Sequence, residues 1–332
     1  MPDSATRDAV AVRARRSAPS PVVTVYAALA ALLVVGSVLV ALDGGVLLDQ
    51  GGILNILTRG TALGLVAVGQ SLVVVTGSLD LSVAHLVGLC SLVAAETMAG
   101  SGAMVVPGVL LALAVAAAVG LVNGLVITGL RVNAFIATLG VALVLRGYLE
   151  HGYTGPAGSV PRSFQQLGYA RIGPIPVAAL LALLVAAGAW WYLRRTRGGY
   201  HMYAVGGDVD VARLSGVRTG RTIVTAHVLC SLAAGLAGVF LAARLGSGAP
   251  HVGVDAGYDL ESIAAVVLGG TALAGGRGGV AGTVGGVLVL ATLDTVFDDL
   301  AVDPFFKDVV RGVVLVVAVA LYARRRPLRR SA

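Results

Sequence analysis

Few side chains in this 332-residue sequence could do chemistry, and those that could are mainly amides, carboxylates and glycines. Gln70 and Asn123 are uncharged amides inside apolar runs. There they either hydrogen-bond across helices or line a polar path for a solute. Thr76, Gly77, Asp80 and Ser82 interrupt two apolar runs, and the carboxylate of Asp80 or the hydroxyl of Ser82 can cap the helix that follows. Gly206 and Gly207 precede Asp208, which reads as a second N-cap. Val211 and Leu214 then share one helical face, Ala212 and Ser215 complete the turn, and Gly216 closes it as a left-handed C′ residue. The chemistry on offer is recognition and docking.

Covalent and phosphate chemistry are excluded on residue type. There is no GxxxxGK[ST] run, and the sole lysine is Lys307, so the chain has no phosphate-cradling loop of its own. The five histidines have no HExxH or CxxC company, which leaves no expected metal ligand set. No serine or cysteine stands in a nucleophile motif, and Cys90 and Cys230, both inside apolar runs, read as small buried hydrophobes. We expect no catalytic residue and no cofactor bound by this chain.

The elements that position these residues are set by composition. Hydrophobic residues make up 57% and charged residues 12%, against about 45–50% and 25% in soluble chains. Several apolar runs exceed the ~20 residues that cross a bilayer. The fold class is therefore all-α, a polytopic helical membrane protein. Spans are predicted at 21–42, 54–76, 82–99, 103–130, 133–150, 175–193, 222–244, 260–275, 278–297 and 308–323, about ten in all. Residues 1–20 read as a disordered arginine-rich tail, 21–323 as one transmembrane domain, and 324–332 as a second basic tail. The first run is longer than the apolar part of a signal peptide and reads as a retained helix.

Charge placement orients the spans. With the N-terminus inside, seventeen of the 24 basic residues fall in cytoplasmic segments and four outside. That bias puts both termini, and the basic loop 194–221, in the cytoplasm. The arginines sit at the ends of apolar runs, which excludes a nucleic-acid footprint. Acidic residues gather at the outer ends, and no ionisable site near the midplane is expected, which argues against ion coupling. Arg59 and Arg146 fall inside spans near their outer ends, where snorkelling suffices, and Arg146 can also meet Glu150 one turn on. Gly278, Gly282 and Gly286 form a small-residue stripe, as do Gly120 and Gly124, for close packing within the bundle or between subunits.

The helix predicted over Val209–Ser215 is only about 10 Å long and marginal alone. It is either a capped surface turn tucked on its own membrane domain or a peg that enters a partner.

Four stretches carry a resemblance. TGSLDLSV (76–83), NGLVITGLRVNAFIATLG (123–140) with Arg146-Gly147, YAVGGDVDVARLSGV (203–217) and YDLESIAAVVLGGTALAGGRGGVAGTVGG (258–286) occur in the order found in ribose-type monosaccharide permeases of ABC importers. Together they resemble that family closely. Ser78, Asn133, Asp208, Asp259 and Glu261 depart from its usual residues and leave the choice of sugar open. The resemblance implies a membrane permease that forms a translocation pore as a homodimer or beside a related paralogue. It also implies a cytoplasmic ATP-binding protein docked on Gly206–Gly216 and an extracytoplasmic sugar-binding protein delivering substrate. Gln70, Asn123 and Phe135 are then candidates for the substrate path, and Thr76–Ser82 for an inner gate. The competing readings are an ion-coupled secondary transporter, an ABC permease for another polar solute such as a nucleoside or amino acid, and a non-transporting scaffold.

Overall fold

Several helices begin where the sequence supplies a cap. Ser20 Oγ accepts the Val23 N–H at 3.3 Å ahead of Pro21 in the first turn. Asp49 Oδ1 accepts that of Gly52 at 2.7 Å, Asn133 Oδ1 that of Phe135 at 2.9 Å, and Thr196 Oγ1 that of Gly199 at 3.1 Å. The computed structural model describes residues 20–303, and beyond them 305–307, 309–310 and 312–313. The chain runs α1 (Pro21–Leu42), α2 (Gln50–Val75), α3 (Val83–Met98), α4 (Val105–Gly129) and α5 (Ala134–Gly152). Next come α6 (Arg162–Tyr169), a hairpin of β1 (Arg171–Ile172) and β2 (Ile175–Pro176), and α7 (Val177–Arg195). Then follow α8 (Arg197–Gly207), α9 (Val209–Leu214), α10 (Thr219–Leu245), α11 (Val252–Asp255), α12 (Tyr258–Leu268) and α13 (Val280–Asp299).

The protein is a multi-pass helical membrane protein, and seven of the described helices are long and apolar enough to cross a bilayer. They are α1, α2, α4 with the short turn before it, α5, α7, α10 and α13. The expected count of about ten is not met among the described residues. Segment 82–99 forms the 16-residue α3, and segment 260–275 the 11-residue α12, both short of a full crossing. Hydropathy sums apolar side chains but does not see where the backbone turns, and after α12 the chain reverses through Gly270, Gly275 and Gly276, all at positive φ. The tails 1–19 and 324–332 and most of the span expected at 308–323 lie outside the described residues. The connection 151–174, between two predicted spans, holds α6 and most of the small hairpin, pinned by Tyr169 donating to the Arg244 carbonyl at 2.6 Å.

α10 is the axis of the bundle, packed on α2, α3 and α4. Small residues make that possible. A Cβ added to Gly120 would stand 2.7 Å from the Val228 Cα, and one on Gly124 2.6 Å from the Val224 Cα, so α4 and α10 touch backbone to backbone. α12 and α13 meet in the same way at Gly269–Gly282 and Ala265–Gly286. Both glycine stripes thus pack within the chain; Gly278 stands ahead of α13 and is not part of its helical stripe.

Arg59 of α2 and Lys307 both pair with Asp298 near the end of α13, and on α5 Arg146 reaches Glu150 at 2.8 Å. Arg59 is therefore paired as well as near the surface.

Candidate functional site

The segment between α7 and α10 folds into two short helices with different tasks. α8 is the anchored one, with Met202 and Val205 buried and the Tyr203 hydroxyl donating to the Gly278 carbonyl at 2.9 Å. Its penultimate residue, Gly206, lies against bare backbone: an added Cβ would sit 1.9 Å from the Val75 carbonyl oxygen and 2.6 Å from the Gly276 nitrogen. The Gly276 N–H itself donates to that Val75 carbonyl at 2.9 Å. Gly275 closes the junction, its own added Cβ falling 2.7 Å from the Gly77 nitrogen and 2.8 Å from the Gly206 oxygen. Three chain segments thus meet with no side chain between them.

α9 is the displayed helix. Asp208 Oδ1 accepts the N–H groups of Asp210 at 2.9 Å and Val211 at 3.0 Å, so the cap forms as its residue type dictates. The helix spans Val209–Leu214, Ser215 is the C-cap, and Gly216 follows at φ +82°. Only Ala212 turns inward and is buried. Val211 is 58% and Leu214 88% exposed. The face expected to meet a partner is therefore free of the chain's own membrane domain, while Ala212 anchors it. The Asp210–Arg213 pair beside it, 3.5 Å apart and exposed, contributes little.

Beyond the glycine junction lies a buried polar cluster. Asp80 and His227 are both fully buried, with Oδ2 and Nδ1 3.2 Å apart. Because an ionised carboxylate only accepts, the proton on that His227 nitrogen is assigned by its partner. Asp80 Oδ1 also accepts the Ser82 N–H at 2.9 Å and hydroxyl at 2.6 Å. Asn123 Nδ2 donates to Asp80 Oδ2 at 3.1 Å and to Ser82 Oγ at 2.9 Å. Burial pushes the Asp80 carboxyl up, but the hydrogen bond and charge of His227 and the two Ser82 donors together hold it below the ordinary carboxylate value. The cluster ties the α2–α3 turn to α4 and α10.

Several expectations change here. Neither Asp80 nor Ser82 caps α3 with its side chain, because both are used across the bundle. Asn123 and Gln70 are fully buried and do not line an open path. Asn123 bonds across helices, and the Gln70 amide oxygen meets the Cys230 thiol at 3.5 Å. Phe135 stands 48% exposed on α5, away from the core. Thr76 is buried, its hydroxyl donating to the Val73 carbonyl at 2.7 Å, and Gly77 turns at φ +79°. The buried Asp80–His227 pair was not among the expectations, which named no ionisable site near the midplane. His227 was missed; a histidine inside the apolar run 222–244 was the available signal. Thr138, whose hydroxyl accepts the Leu81 N–H at 3.2 Å, carried no comparable one.

The site thus combines a multi-pass helical membrane bundle with a capped, exposed short helix and a buried polar cluster. The chain belongs to the family described as the permease component of branched-chain amino acid transport systems, which matches residues 52–319. Within it the chain is similar to the ribose import permease protein RbsC of Escherichia coli K12, 38% identical over 80% of this chain and 83% of that one. RbsC of Bacillus subtilis 168 is also 38% identical, over 82% and 85%. The galactose/methyl galactoside import permease protein MglC of Haemophilus influenzae is 31% identical, over 82% and 87%. No solved structure matches the chain.

Proposed function

We propose that this chain is the membrane-embedded permease of an ATP-driven importer for a monosaccharide of the ribose or galactose kind. The observation that carries the ATP-driven part is the displayed helix α9, whose Val211–Leu214 face is exposed while its root is wedged between α2 and the 275–276 turn. A helix that is rigidly held at its base and apolar at its tip suits a docking peg for a separate ATP-binding subunit. The sugar class is supported by the names of the relatives.

In this reading both termini and α9 face the cytoplasm, α3, α12 and the 308–323 segment complete ten membrane-embedded segments, and the pore forms from two permease subunits, identical or paralogous. An extracytoplasmic binding protein hands over the sugar. The chain binds no cofactor and catalyses no reaction; its partner spends the ATP. Inner-gate residues are Thr76, Gly77, Asp80 and Ser82, and Gln70, Asn123 and Phe135 meet the sugar only in states where the bundle opens.

One observation favours an ion-coupled secondary transporter, the buried Asp80–His227 pair. Four protein donors, the Ser82 N–H and hydroxyl, the Asn123 amide and the His227 ring, already engage that carboxylate, which suits a lock better than a shuttle. The test is uptake of labelled ribose and galactose into proteoliposomes holding the permease, its ATP-binding partner and the binding protein. Uptake should require ATP and ignore a proton uncoupler. Uptake without ATP that an uncoupler abolishes would replace this reading with the secondary transporter.

A further inference from the structure

Two cavities outside the coupling and polar clusters lie one above the other between α7 and α13. The first, about 410 Å³, is at the arginine-rich end and is walled by Trp190, Leu193, Arg194, Arg277 and the start of α13. The second, about 310 Å³, continues along the same helices past Ala186, Leu183 and Ala179 of α7 and Val284 and Leu288 of α13, with Gly60 and Gly64 of α2 as its floor.

The two differ in chemistry. The upper cavity carries two guanidiniums that have no carboxylate partner among the described residues. Tyr203 is hydrogen-bonded to the Gly278 carbonyl beside them, and α13 begins there with no side chain capping its N–H groups. The lower cavity is lined almost wholly by apolar side chains and glycine. From Arg194 to Leu183 the groove runs about 16 Å at ~1.5 Å per residue, the depth of one leaflet of a ~30 Å hydrocarbon core. Exposed Trp190 and Trp191 mark the headgroup level on α7.

We infer that this groove is a site for one anionic glycerophospholipid, its phosphate held between Arg194 and Arg277 and an acyl chain laid along α7 and α13. Cationic donors above an apolar slot match a lipid end for end, and planar guanidiniums take phosphate oxygens in pairs. Basic pockets between membrane helices select such headgroups. The segment 1–19 has four arginines against Asp3 and Asp8, the wrong sign to occupy the cationic end itself. The site borders the α8 anchor at Tyr203 and Gly278 but uses none of the residues proposed to dock the ATP-binding subunit or to meet the sugar, so lipid retention is read independently of that function.

The experiment uses the full chain in nanodiscs and native mass spectrometry, with phosphatidylglycerol competing against phosphatidylcholine. The wild type should retain phosphatidylglycerol, and R194Q/R277Q should lose about tenfold or more of that preference. Both arginines are exposed, so the double variant should fold. Gly64→Leu, with the arginines intact, fills the lower groove and should lower retention several-fold. Overturning results are an unchanged preference in R194Q/R277Q, unchanged retention in Gly64→Leu, or inorganic phosphate raising the melting temperature as much as the lipid does. Loss of ATPase co-purification in R194Q/R277Q with lipid preference intact would also overturn it.

Discussion

Asp80 and His227 meet across the bundle at 3.2 Å although 147 residues separate them. One belongs to the turn that the coupling segment leans on, the other to the central helix α10. The pair ties that turn to the middle of the bundle.

Asp80→Ala leaves the buried Ser82, Asn123 and His227 donors without their acceptor, and should cost on the order of 1–3 kcal/mol of stability. The Asp80→Ala/His227→Ala double variant should cost less than the sum of the single variants, with a coupling on the order of 1–3 kcal/mol. Denaturation of the purified permease in mild detergent reads this directly. Additive losses would show that the two side chains are neighbours and not a pair.

Acid should act on the same contact. Asp80 is held below the ordinary carboxylate value, so its contribution is present above that value and is lost as pH falls through the folded-state one. The wild-type melting temperature should drop on acidification by more than that of Asp80→Asn. Parallel pH profiles would place the acid sensitivity elsewhere.

The glycine junction makes a sharper distinction, because two adjacent residues differ. An added Cβ at Gly206 collides with the Val75 carbonyl, whereas one at Gly207 meets nothing within 4 Å. Gly206→Ala should overpack the junction at a cost of ~1–3 kcal/mol and lower uptake. Gly207→Ala lies in a helix and should be neutral or stabilise by under about 1 kcal/mol. Equal effects on uptake and melting temperature would mean that close approach at Gly206 has no functional weight.

How much of this was legible in the sequence depends on the range of each interaction. The α9 helix was, since Asp208, its N–H partners and Gly216 lie within one local motif whose chemistry is fixed by residue type. The apolar runs were legible as helices, and α3 lies within one residue of its predicted bounds, but the span placed at 260–275 was overextended because the glycine-rich turn at 269–279 counts as apolar sequence. The polar cluster was legible only in part. Asp80, Ser82 and Asn123 stood out singly, yet their union with His227 depends on the rotation of α4 and α10 about their axes, which glycines at 120 and 124 set through backbone contact. The exposure of Leu214 likewise follows from how α8 is seated, not from α9 itself.

Orientation can be tested at exposed positions on opposite ends. Asp255→Cys should react with an impermeant thiol reagent in intact cells, and Ser215→Cys only after permeabilisation, as the arginine bias requires. Thr219, in the same loop as Ser215, is buried and would resist labelling from either side. The reverse pattern would turn the bundle over and remove α9 from the cytoplasm.

The last prediction separates folding of α9 from docking. Asp208→Ala removes both hydrogen bonds to the first turn and should cost ~1 kcal/mol locally, loosening the peg while the bundle stays intact. Leu214→Asp changes a side chain that is 88% exposed, so the isolated permease should melt within about 0.5 kcal/mol of wild type. In the complex, the same aspartate would be carried into an apolar contact and left unpaired, which opposes docking. Uptake should fall in both variants, but only Leu214→Asp should also lose most of the co-purifying ATP-binding subunit. Asp208→Ala should retain that subunit and couple it poorly. Normal uptake by Leu214→Asp with the subunit still attached would reduce α9 to a capped surface turn, and the energy input would have to enter the bundle by another route.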